Sequence, residues 1–119
     1  MQGNRLLVPF HVPGTLAANI TLIFQAVKAM TLVAVQTVNT ANSGATFILG
    51  TSADDDAYLT TQNLGDSSTP TVINQKASFV GEQFPHIDVG TTIVMTIDYD
   101  GAGGTAAANM MVVLEFLEG

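Results

Sequence analysis

The sequence predicts an all-β protein, folded as a two-sheet antiparallel sandwich of the jelly-roll or a related Greek-key type, with about eight strands. Short apolar segments with period-2 alternation recur along the chain, and clusters of Gly, Pro, Ser, Asn and Asp separate them. No segment sustains a helical period. Since 119 residues suit one domain, we interpret residues 1–119 as a single β-sandwich domain.

The first predicted strand lies at the margin of this fold. Residues 5–11 are extended and largely apolar, but Pro9 lacks the backbone donor that a central strand needs. The segment therefore belongs at a sheet edge or reaches away from the body. We interpret residues 1–13 as an extended N-terminal arm.

The next strands alternate more regularly. In residues 19–25 every second side chain is apolar, which is typical of a half-buried strand. The apolar positions of that strand are Ile20, Leu22 and Phe24. Residues 30–38 form a β-rich run that places Val33 and Val35 on one face.

The middle of the chain is less regular. Residues 46–50 predict a short strand that ends at its glycine. The longest irregular region follows at residues 51–71, where only residues 57–59 suit a helical turn or a brief strand. Residues 71–79 hold one or two short strands, and residues 81–90 form a loop.

The last two predicted strands are strongly apolar. Residues 91–99 place Ile, Met and Ile side chains on one face, and the Gly-rich residues 100–104 predict a hairpin-type connection. In residues 110–117 both faces are mostly apolar. This strand is therefore either central in the sandwich or covered by a partner.

Charge is scarce. Only 11% of the residues are charged, against roughly 25% in an ordinary domain, while 47% are hydrophobic. A small domain exposes much of its surface, so we expect another chain to cover part of it and predict a homo-oligomer. The net charge is −7. The basic residues Arg5, Lys28 and Lys76 lie far apart in the sequence, which argues against nucleic-acid and membrane-surface partners.

No catalytic motif is present, and we predict that the protein is not an enzyme and uses no cofactor. The chain has no Cys and only two His, His11 and His86, with no third zinc ligand beside either. No residue is assigned a catalytic, cofactor-binding or metal-binding role. Among the methionines, we expect Met95 and Met110 in the core and Met30 and Met111 at an interface.

Two acidic clusters are the only ligand-like features. They are Asp54, Asp55 and Asp56, and the pair Asp98 and Asp100. Calcium prefers several converging oxygens, but Asp98 begins no complete EF-hand pattern, because no helix flanks it and no Glu closes it. We interpret both clusters as solvated turn residues and leave calcium binding by any of these five residues open.

Three parts of the chain together resemble the small jelly-roll decoration, or cement, proteins of tailed bacteriophage capsids. They are TFILGTSADDDAYL at residues 46–59, LGD at 64–66 with Pro70, and DYDGAGGTAA at 98–107 before the apolar last strand. The resemblance implies a structural protein without enzymatic activity. It also implies a homotrimer, less often a dimer, seated on the outer capsid surface of the virion where major capsid protein subunits meet. On such a surface we expect residues 5–10 to contact the capsid or a neighbouring subunit.

Two other hypotheses remain at the level of sequence. The Ser-, Thr-, Asp- and Asn-rich residues 51–71 suit a carbohydrate- or receptor-binding sandwich on a virion fibre or spike, because such loops can hydrogen-bond sugars. The sequence gives little support for an aromatic sugar-binding platform, since the chain has no Trp and its two tyrosines, Tyr58 and Tyr99, lie far apart in the sequence. Only the acidic clusters support an enzyme.

Overall fold

Nine strands form two antiparallel sheets in a computed structural model of the chain, which describes residues 4–119. The strands are β1 (Arg5–Thr15), β2 (Ile20–Gln25), β3 (Met30–Val38), β4 (Thr46–Thr51), β5 (Leu59–Asn63), β6 (Thr71–Ile73), β7 (His86–Ile87), β8 (Thr92–Asp98) and β9 (Ala108–Glu118). Helical structure among the described residues is limited to two short 3-10 turns, Lys76–Ser78 and Val80–Glu82. No helix in this part of the chain is long and apolar enough to cross a membrane.

The strand order is that of a jelly roll. One sheet has the order β1-β9-β3-β6, with the two-residue β7 also paired to β3, and the other has the order β2-β8-β4-β5. The chain crosses from one sheet to the other at six of its eight connections, staying in one sheet only between β4 and β5 and between β6 and β7. The predicted all-β, two-sheet antiparallel sandwich is therefore confirmed, with nine strands where about eight were expected.

The core lies between the two sheets and takes every second side chain of the long strands. In β9 the inward residues Met110, Val112, Leu114 and Phe116 are all buried. In β8 they are Ile93, Met95 and Ile97. The ring of Phe24 on β2 meets that of Phe116 edge to face, with centroids 6.3 Å apart, which joins the two layers at one end.

Strand β1 is an edge strand, as its proline predicts. It pairs antiparallel with β9 from Arg5 opposite Leu117 to Thr15 opposite Ala108, with an irregularity after Val12. Residues 1–3 of the predicted arm lie outside the described residues. From Arg5 onward the predicted arm is part of the sheet, where it pairs with β9.

A bulge changes which residues of β3 face the core. The register against β9 shifts between Leu32 and Ala34, so that Leu32 and Val35 both point inward and are fully buried. Val33 is only half-buried. The predicted pairing of Val33 with Val35 on one face is wrong, because one extra residue in a strand reverses the alternation.

Two other local predictions are also wrong. Strand β5 lies inside the region expected to be irregular, where it pairs with β4. Residues 100–104 do not close a hairpin, because they carry the chain from β8 in one sheet to β9 in the other. A period-2 pattern does not indicate which sheet a strand joins, so this crossing could not be predicted from the sequence.

Candidate interface surfaces

The outer face of the five-stranded sheet is largely aliphatic. Cross-strand partners share a face, and the register places Pro9 beside Val113 and His11 beside Met111. We call this surface the aliphatic face. Its apolar members are Leu7, Pro9, Ala34, Val38, Val72, Met111, Val113 and Leu117. Leu7 is 58% exposed, Val72 54% and Met111 38%.

The charges on this face neutralise one another. The Arg5 guanidinium lies 2.9 Å from a carboxylate oxygen of Glu115, across the β1–β9 pair. Off this face, at the end of the sheet, Lys28 Nζ lies 2.6 Å from a carboxylate oxygen of Glu118. Two of the three basic residues are thus already paired within the chain. The face combines large apolar side chains with almost no net charge, as contact surfaces between proteins often do.

The outer face of the four-stranded sheet has a different chemistry. Threonine is its most frequent residue, and we call this surface the threonine face. Its threonines are Thr21, Thr46, Thr61, Thr92 and Thr96. The sandwich therefore has one aliphatic and one hydroxyl-rich outer surface. Strand β9 is central in its sheet, as the first alternative predicted, and because its outward side is also apolar, its coverage by a partner stays a prediction.

The methionine predictions are partly right. Met95 and Met110 are fully buried, as expected for core residues. Met111 is exposed on the aliphatic face. Met30 was expected at an interface, but it is only 4% exposed, because it begins β3 between β7 and β9 with its side chain inward.

A groove runs along one side of the sandwich, between the edge strands β1 and β2. We call it the edge groove. Its volume is about 390 Å³, and its lining consists of Val8, Pro9, Phe10, the β2 residues Ile20, Thr21, Leu22, Ile23 and Phe24, and the β9 residues Val112 and Leu114. Each edge strand ends its sheet here, so the core side chains of both strands remain half-exposed.

The acidic triplet forms a tight turn between β4 and β5. One carboxylate oxygen from each of Asp54, Asp55 and Asp56 lies within 4.8 Å of the others, and all three residues are exposed. The Asp54 carbonyl accepts hydrogen bonds from the backbone N–H groups of Thr51 and Ala57, at 2.8 and 3.2 Å. These bonds are typical of a turn. The side-chain hydrogen bond and negative charge of Asp54 raise the pKa of Asp56.

The second acidic pair stays apart from that triplet. Asp98 ends β8, and its Oδ1 accepts a hydrogen bond from the backbone N–H of Asp100 at 3.0 Å. Asp100 itself has a positive φ of 54°. This is an Asx-type turn that starts the crossing to β9. Among residues 4–119, only the triplet brings three potential metal ligands together.

The two histidines are exposed and do not belong to that cluster. His11 lies on the outer side of β1. His86 Nε2 lies 3.3 Å from a carboxylate oxygen of Asp88. The only cluster of three or more potential metal ligands in the described chain is the aspartate triplet, so neither histidine belongs to one.

One buried polar residue was overlooked in the sequence. Asn39, at the end of β3, is completely buried. Its Nδ2 donates to the Gly65 carbonyl at 2.8 Å, and its Oδ1 accepts from Ala41 N at 2.9 Å and from Ala108 N at 3.4 Å. It thus holds together three segments at one end of the sandwich. An asparagine at the start of a polar loop is the only sequence signal, and exposed turns share it.

Comparisons with solved structures agree with this fold. One chain of the cyanophage Pam1 capsid asymmetric unit superposes with a TM-score of 0.59 at 10% identity, covering 99% of this chain and 87% of the other. A chain of the acidic stable capsid of Helicobacter pylori bacteriophage KHP30 gives 0.52 at 14% identity, covering 98% and 88%. Both similarities extend over the whole sandwich.

A third similarity is weaker. A family 35 carbohydrate-binding module from an environmental isolate gives a TM-score of 0.40 at 17% identity, covering 85% of this chain and 68% of the other. A similarity at that level carries no functional argument. No protein-family model matches the sequence, and no curated protein matches it.

Proposed function

We propose that the chain is a structural virion protein of a tailed bacteriophage. In this proposal it binds the outer capsid surface as a homo-oligomer and stabilises contacts between major capsid protein subunits. The observation that carries the proposal is the whole-length jelly-roll similarity to chains of two phage capsids. The sequence resemblance implies a trimer or, less often, a dimer as the oligomer.

The aliphatic face supports the proposal and is the surface that we assign to the capsid. It presents Leu7, Val72 and Met111 to solvent, and its Arg5–Glu115 pair leaves little net charge. Apolar surface removed from water contributes about 25 cal/mol per Å², and a stable contact buries roughly 1,600 Å² in all. Such a contact, repeated over a shell, would join neighbouring shell subunits without covalent bonds.

The remaining surface supports a structural role more than an enzymatic or sugar-binding one. All six Phe and both Tyr residues lie within the described chain, and each is buried or half-buried. No aromatic ring there is exposed as a stacking platform for a sugar. The net charge of −7 would also limit unproductive contact with nucleic acid during assembly.

Co-sedimentation with shells of the same virus's major capsid protein tests this function. We expect the purified chain to pellet with shells and to raise their melting temperature. Met111→Asp places a charge on the aliphatic face and should weaken binding at least about tenfold, because the carboxylate must lose its water.

Thr61→Asp is the matched control, because it adds the same charge to the threonine face and should bind like the unmodified chain. Folding of each variant is checked by circular dichroism. A chain that fails to pellet with shells at any concentration would contradict the proposed function. Equal binding by the Met111 and Thr61 variants would contradict the assignment of the aliphatic face.

A further inference from the structure

Strand β2 is a free sheet edge that lacks the features by which proteins usually protect such edges. Natural edges are protected by proline, bulges, charged residues or shortness. β1 has Pro9, Pro13 and an irregular register. β6 has three residues, and β5 pairs with β4 through a bulge. β2 has six regularly paired residues and none of these features among the described part of the chain.

The surroundings of this edge are uncharged and apolar. Residues 12–27 contain no Asp, Glu, Lys, Arg or His, although the chain as a whole carries −7. Ile23 is 65% exposed on the outer side of β2. On the inner side, the edge groove leaves Leu22 and Phe24 half-buried against Val8 and Phe10 of β1. A strand added to β2 would pair with its backbone and fill this groove with its own side chains.

We propose that β2 pairs antiparallel with β2 of a second copy of this chain, around a two-fold axis at Leu22. The two four-stranded sheets then become one continuous sheet of eight strands. Cross-strand partners share a face, so a two-fold axis at one residue keeps both cores on the same side. Ile20 then faces Phe24 of the second copy, and Thr21 faces its Ile23.

Charge and pattern together favour a second copy as the occupant. Two chains that each carry −7 repel one another least where neither has a charged side chain, and residues 12–27 are such a place. The register also makes β2 complementary to itself. It places the β-branched Ile20 opposite the aromatic Phe24 of the second copy, which is a favourable cross-strand pair. At both ends of the paired strands, the amides Asn19 and Gln25 lie opposite each other.

This inference concerns the chain alone and does not depend on the proposed capsid role. Sedimentation equilibrium of the full chain, up to about 100 µM, should give twice the monomer mass of 12.4 kDa. Ile23→Lys places a charge on the edge and should weaken dimerisation at least about tenfold. Val80→Lys, at an exposed valine next to β5 on the other side of the sandwich, should dimerise like the unmodified chain.

Cysteine cross-linking tests the register without relying on the lysine variant. The chain has no Cys, so oxidation reports only on introduced thiols. Facing Cα atoms in an antiparallel pair lie about 4.5–5.5 Å apart, within disulfide range. A mixture of Thr21→Cys and Ile23→Cys chains should form disulfide-linked dimers, whereas neither variant should do so alone.

Several outcomes would overturn the inference. A monomeric or trimeric mass for the unmodified chain would do so, as would unchanged dimerisation of a folded Ile23→Lys variant. Cross-linking of either cysteine variant alone would overturn the register. A chain that sediments as a monomer but still pellets with shells would contradict β2 pairing without contradicting the proposed capsid binding.

Discussion

At the scale of single residues, burial decides the role more than residue type does. Asn39 and Asn42 lie three positions apart in the same loop region, yet Asn39 is fully buried with three side-chain hydrogen bonds and Asn42 is exposed. A buried amide without partners loses its hydration and gains nothing in return. The network of Asn39 therefore fixes one end of the sandwich.

Asn39→Leu should lower the free energy of unfolding by about 2–4 kcal/mol, because the backbone groups of Gly65 and Ala41 would lose buried side-chain partners. Urea denaturation followed by circular dichroism measures the change. Asn42→Leu is the control and should change stability by less than about 0.5 kcal/mol. Equal effects of the two substitutions would show that the buried network does not stabilise the fold.

At the scale of elements, a close backbone contact explains Gly50, the residue at which the sequence predicted a strand to end. β4 continues past Gly50 to Thr51. A Cβ atom at Gly50 would collide with the Asp54 carbonyl oxygen and lie only 2.5 Å from Ala57 N. The absent side chain lets the acidic turn fold back over the strand. The same turn then directs the chain into β5, the strand that the sequence did not indicate.

Gly50→Ala should lower the free energy of unfolding by about 2–3 kcal/mol, since neither backbone atom can move without opening the turn. Gly103→Ala is the control, because its Cβ would meet only an Asp100 carboxylate oxygen at 3.9 Å. Thermal denaturation of both variants measures the difference. A Gly50→Ala variant as stable as the Gly103→Ala variant would contradict the close approach.

At the scale of the whole molecule, charge controls how copies approach one another. Each chain carries −7, while its aliphatic face and the β2 edge carry almost no net charge. Repulsion between copies therefore arises outside the proposed contacts. Added salt screens that repulsion, since the Debye length falls from about 30 Å at 0.01 M to about 3 Å at 1 M.

Self-association should strengthen by about three- to tenfold between roughly 20 mM and 500 mM NaCl. Sedimentation equilibrium at each ionic strength measures the dissociation constant. A chain carrying both Asp55→Asn and Asp56→Asn loses two negative charges on an exposed turn and should respond less to salt. Weaker association at high salt would mean that ion pairs hold the interface, contrary to the apolar contacts proposed.

Local sequence patterns were enough to predict the class of fold and most of the strands. Period-2 alternation marked β2, β8 and β9, and Pro9 placed β1 at an edge, because each signal depends on neighbours in the chain. The low fraction of charged residues led us to expect that another chain covers part of the surface, since composition limits what can face water.

Which strands pair and which surfaces remain open depends on how the chain packs in three dimensions. The β3 bulge, the crossing at residues 100–104 and the burial of Met30 and Asn39 all depend on contacts between segments far apart in the chain. The aliphatic face and the edge groove arise in the same way, because adjacent strands from distant parts of the sequence supply their side chains. A local sequence pattern does not specify such distant partners, so the candidate interfaces can be identified only from the assembled sheets.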